Sequence, residues 1–61
     1  MKTSKLVRSI AKKLGAAGLG AKVIYADGVI TVEAESDTIA RDLLGFDSFT
    51  SYIDGIEVII L

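Results

Sequence analysis

The dipeptide Asp27-Gly28 lies between two runs rich in β-branched residues, Ala21-Lys-Val-Ile-Tyr-Ala26 and Val29-Ile-Thr-Val-Glu-Ala34. Asp-Gly readily supplies the paired positive φ angles of a type I′ turn, whose twist matches that of the strands it joins. A two-residue turn leaves a single register. Ala26 faces Val29, Tyr25 faces Ile30, Ile24 faces Thr31, Val23 faces Val32 and Lys22 faces Glu33. Side chains alternate across a strand, so one face of this hairpin carries Val23, Tyr25, Ile30 and Val32. That face is expected to form the core. The other carries Lys22, Ile24, Ala26, Val29, Thr31 and Glu33, with Lys22 and Glu33 expected as a cross-strand ion pair.

Helical periodicity flanks the hairpin. From Lys5 to Leu14, the residues Leu6, Val7, Ile10, Ala11 and Leu14 make one stripe of an α-helix. Thr3 or Ser4 suits the N-cap and Gly15 the left-handed position after the last turn. The glycines from Gly15 to Gly20 follow a helix and precede a strand, the reverse of a phosphate-binding loop, so they are expected to act as a connector. Beyond the hairpin, Ser36-Asp37 reads as an N-cap and acidic first turn, Ile39, Ala40, Leu43 and Leu44 as the apolar stripe, and Gly45 as the stop. Residues Phe46 to Ile53 satisfy either period. Phe46, Phe49 and Ile53 suit a helical stripe after a kink, and helix is the expectation here. Ile56-Glu-Val-Ile-Ile-Leu61 closes the chain as a strand.

The expected fold class is therefore α+β: a two-layer α-β-β-α-β arrangement in which an antiparallel hairpin and a C-terminal strand pack on two helices, residues 1–61 forming one small domain. An internal echo offers an alternative. Tyr25-Ala-Asp-Gly-Val returns as Tyr52-Ile-Asp-Gly-Ile, and Ile10-Ala-Lys-Lys-Leu as Ile39-Ala-Arg-Asp-Leu. Taken as a duplication, these matches imply α-β-β-α-β-β, with a strand inside residues 46–53.

Composition narrows the chemistry. The chain has no cysteine and no histidine. It lacks the usual ligands for zinc or haem, any disulfide, and the Cys-His or Ser-His pairs of most nucleophilic catalysis, so no enzyme activity, catalytic residue, metal or cofactor is expected. Glu33, Glu35 and Asp37 alternate and would point the same way in an extended backbone, but a strand end running into a helix cap accounts for them. The lack of disulfides in so small a chain suggests a reducing, cytoplasmic setting. No apolar run reaches the length of a membrane span. Arg8, Lys12 and Lys13 interrupt what a secretory leader would need as its apolar centre, so the first residues are expected to be mature structure.

Charge is segregated along the chain. All but one of its seven basic residues lie within residues 1–22, and all eight acidic residues within residues 23–61. Lys5, Arg8 and Lys12 share one side of the first helix and are candidate contacts for nucleic-acid phosphates, although no aromatic stacking residue accompanies them. The acidic remainder suggests a further possibility, a small inhibitor of a nucleic-acid-processing protein, and a phage or mobile-element setting would suit it.

The principal functional expectation comes from apolar excess. Half of the residues (51%) are hydrophobic, a high share for a small chain without disulfides or metal. Ile24, Ala26 and Val29 on the second face, with Ile59 and Leu61 of the last strand, form a candidate protein interface. A non-catalytic interaction module that self-associates or binds a dedicated protein partner is the expected function. The run from Asp27 to Ala34, followed by Ser36-Asp37, a helix and Asp54-Gly-Ile-Glu-Val, also resembles the α-β-β-α-β pattern of BON domains over about two-thirds of the chain, with Ala34 where those domains tend to carry glycine. The resemblance implies phospholipid or membrane association.

Overall fold

A computed structural model describes residues 2–61. The elements run α1 (Lys2–Ala16), β1 (Ala21–Ala26), β2 (Val29–Ala34), α2 (Asp37–Leu44), β3 (Thr50–Ile53) and β4 (Ile56–Ile60). The strands make one mixed sheet in the order β1-β2-β4-β3, antiparallel at both hairpins and parallel where β2 meets β4. The fold is α+β, with both helices packed on one side of the sheet and on each other.

The first helix is longer at both ends than its apolar stripe suggests. Thr3 and Ser4 lie inside it rather than at its cap, and it runs through Gly15. Gly18, at φ 77°, is the residue that turns left-handed. The Gly18 N–H donates to the Gly15 carbonyl at 3.0 Å and the Leu19 N–H to the Leu14 carbonyl at 3.1 Å, the paired bonds of a Schellman ending. Leu19 then folds back onto the core that contains Leu14. Among the glycines here, Gly18 is followed by an apolar residue able to make that return contact, and this places the stop.

The second helix starts and stops where expected. Ser36 accepts the Ile39 N–H at 3.3 Å through its Oγ. Gly45 closes the helix at φ 75°, and the Phe46 N–H returns to the Arg41 carbonyl at 3.1 Å.

Residues 46–53 correct the expectation of a continued helix. After Gly45 the chain bends through residues 47–49, and Thr50–Ile53 then pairs with β4 across Asp54-Gly55, Ile53 opposite Ile56 and Thr50 opposite Ile59. Asp27 and Asp54 take nearly the same φ, 53° and 51°, each followed by a left-handed glycine. The same dipeptide therefore makes the same turn twice. The element order is that of the duplicated alternative, yet the halves are not equivalent in packing. Tyr25 belongs to the helix side of the sheet and Tyr52 to the other, because the hairpins sit in mirrored order, β1-β2 and β4-β3, under helices that share one side. The Ile10 and Ile39 motifs are likewise dissimilar, since Ile10 is buried and Ile39 is 51% exposed.

The core is one layer thick. Ile30, Val32, Val58 and Ile60 project from the two central strands against Ile10 and Leu14 of α1 and Ala40 of α2. Ile30 stands beside Val58 and Val32 beside Ile60, so parallel pairing of β2 with β4 concentrates β-branched side chains at the centre. Tyr25 was expected in this core and is 45% exposed, because β1 is an edge strand whose far end α1 covers incompletely.

Candidate functional site

Two helices on one side leave the opposite side of a four-stranded sheet uncovered. The register decides which residues it displays. One row across the sheet reads Ala26, Val29, Glu57, Tyr52, and the next reads Ile24, Thr31, Ile59, Thr50. Leu61 continues past Ile59 on the same side, held by donation of its N–H to the Val32 carbonyl at 2.8 Å. Ile24, Ala26, Val29, Ile59 and Leu61 are thus brought together on one open face, with Ile24 39% and Leu61 61% exposed. Val29 and Ile59 are half-buried by their strand neighbours.

Tyr52, 66% exposed on the same face, was missed from sequence because its segment was read as helix. The recurring Asp-Gly dipeptide was the signal that could have found it. Lys22 and Glu33 face each other at one corner as expected, but the pair is not closed. The one ion pair among the described residues joins Arg41 to its neighbour Asp42, at 3.3 Å.

The sheet's two edges are chemically different. Around a two-residue turn the flanking pair is doubly hydrogen-bonded, and alternate residues then turn their N–H and C=O groups outward. On β1 these are Ala21, Val23 and Tyr25, and none of their outward groups is capped by a side chain among the described residues. On β3 they are Thr50 and Tyr52. Here Ser48 folds over the edge, its Oγ donating to the Thr50 carbonyl at 2.6 Å and accepting the Thr50 N–H at 3.3 Å. Only the outward groups of Tyr52 remain. Arg41 stacks over the Phe49 ring at 5.0 Å, anchoring the chain that enters β3.

Lys5, Arg8 and Lys12 lie on the solvent side of α1, opposite the stripe that carries Ile10 and Leu14. Arg8 leans towards the β1 edge and, with Thr3, Ser4, Val7 and Tyr25, lines an open groove of about 510 Å³. Lys5 leans the other way, towards Asp54. The acidic alternation after β2 is put to local use: the Glu35 carboxylate accepts the Gly20 N–H at 2.7 Å, tying the start of β1 to the end of β2. Among the described residues no cluster of three or more acids is placed to hold a metal ion, and no helix is long and apolar enough to cross a membrane.

No family model, curated protein or solved structure matches the chain. The BON resemblance therefore rests on the quoted residues alone.

Proposed function

We propose that this domain is a non-catalytic protein-interaction module that docks through its open sheet face, onto a second copy of itself or onto a dedicated protein partner. The observation that carries the reading is the gathering of Ile24, Ala26, Val29, Ile59 and Leu61 on a face that no helix covers. Strands about 4.8 Å apart and roughly 3.3 Å per residue give that face a span near 19 by 17 Å. Two such faces stacked would bury on the order of 1,000 Å² in all, in the range of weak, reversible association.

Light scattering on size-exclusion fractions over a concentration series tests this. A dimer that persists in high salt and is lost in the Ile24→Lys, Ile59→Lys double variant is the expected result for self-association. A monomer throughout assigns the face to a dedicated partner. A dimer that survives both substitutions, or dissolves in salt, would place the contact elsewhere and overturn the reading.

One specific observation favours a second reading. Lys5, Arg8 and Lys12 are solvent-facing on one helix and unpaired among the described residues, as phosphate contacts require. Retention on duplex DNA or on RNA that falls steeply with salt, and falls further in Arg8→Ala, is its test.

A further inference from the structure

From the asymmetry of the two sheet edges we infer that β1 is a docking strand for an extended acidic segment of another protein, which adds to the sheet as a further antiparallel strand. This rests on the reading of the domain as a protein-interaction module and names the partner's chemistry.

The open backbone groups come first. Ala21, Val23 and Tyr25 each turn an N–H and a C=O outward, so an incoming strand can close a ladder along the length of β1. Protection of the usual kind is slight on this edge. It holds no proline and a single charge, Lys22. The far edge is short and capped by Ser48. A chain that blunts one edge and leaves the other open has a preferred side for addition.

Charge then selects the occupant. Arg8 borders β1 on the helix side, in the groove beside Tyr25, and Lys22 borders it on the open side. Lys12 stands one helical turn beyond Arg8. The acids nearest this edge are Asp27, in the turn beyond its end, Glu33, beside Lys22 on β2, and Glu35, whose carboxylate accepts the N–H of Gly20 just before β1; none of them lines the groove with Arg8. A second copy is disfavoured on both of its edges. The β1 of another copy carries no acid to set against Arg8, and pairing with β3 finds Thr50 already capped. An acidic strand meets neither obstacle. Its acids on the helix side approach Arg8, while apolar residues on the open side extend the surface beside Ile24.

The test uses the whole chain and the blocked peptide acetyl-Glu-Val-Glu-Val-Glu-Val-amide, with the lysine analogue acetyl-Lys-Val-Lys-Val-Lys-Val-amide as control. Amide hydrogen exchange is followed by NMR. The acidic peptide is expected to slow exchange at Ala21, Val23 and Tyr25 by about tenfold or more at saturation and to leave Tyr52 unchanged, whereas the lysine peptide does neither. Arg8→Glu, at the surface, should weaken binding about fivefold or more with the fold intact. Val23→Pro, at a position whose N–H points out of the sheet and so tolerates proline, should abolish it. Equal protection by both peptides, protection at Tyr52, or no protection at all overturns the inference. Concentration-dependent protection of Val23 without peptide also overturns it, by showing that a second copy takes the edge. Failure here is distinct from failure of the open-face reading, which is judged by solution mass and by substitutions at Ile24 and Ile59.

Discussion

Alanine at Gly15 and alanine at Gly18 should change stability in opposite directions, although the two positions are close neighbours. Gly15 lies within α1, its φ is not positive, and a methyl group added there meets nothing within 4 Å. Alanine should therefore recover helix propensity, about 0.5–1 kcal/mol in the last turn. Gly18 is equally open to solvent but sits at φ 77°. An alanine there carries the cost of a left-handed L-residue, roughly 1–2 kcal/mol, with no steric term to confuse it. At roughly 2.1 cal/mol/K per residue, the unfolding entropy of 61 residues makes 1 kcal/mol worth about 8 °C. Gly15→Ala should raise Tm by about 4–8 °C and Gly18→Ala lower it by about 8–16 °C. Differential scanning calorimetry, with a check that enthalpy and cooperativity are retained, reads both. If Gly15→Ala is the damaging change and Gly18→Ala the harmless one, the helix stops at Gly15 and the Schellman assignment is wrong.

The remaining predictions concern the two sides of the sheet and its capped edge. Val58 is fully buried and Val29 lies on the open face, so Val58→Ala should cost about 2–3 kcal/mol in a urea titration and Val29→Ala under about 1. Equal costs would mean that the open face is covered in solution. Ser36→Ala removes the oxygen that accepts the Ile39 N–H and should cost about 1 kcal/mol, seen as a lower urea midpoint at an unchanged slope. Ser48→Ala frees both Thr50 backbone groups and should raise light scattering on prolonged incubation above that of the parent chain. Unaltered scattering would show that Ser48 does not protect the β3 edge.

Much of the fold was legible because several of its signals are local. Asp27-Gly28 requires paired positive φ angles, and that requirement carried the hairpin, its register and both of its faces. Ser36 and Gly45 bounded α2 by cap chemistry acting over three or four residues. The face of Ile24, Ala26 and Val29 followed from strand alternation alone. Segment 46–53 was lost because Phe46, Phe49 and Ile53 all point inward at a spacing that suits a helix, while β3 is only four residues long, too short for period-two alternation to stand out.

Other features belong to tertiary structure. Nothing local says that β4 would lie parallel to β2 and put Val58 beside Ile30, since that pairing depends on how α2 carries the chain across the sheet. Once made, it consigns β1 and β3 to the edges. It also gives Tyr25 and Tyr52 opposite sides despite identical turn contexts, and leaves Ile59 and Leu61 next to Ile24. The sequence by itself determined the Asp27-Gly28 turn, the caps of α2 and the alternation of β1 and β2, because these are settled within a few residues. The open face, the unprotected β1 edge and the capped β3 edge were decided by strand order, which is set by burying the greatest apolar surface over the whole chain at once.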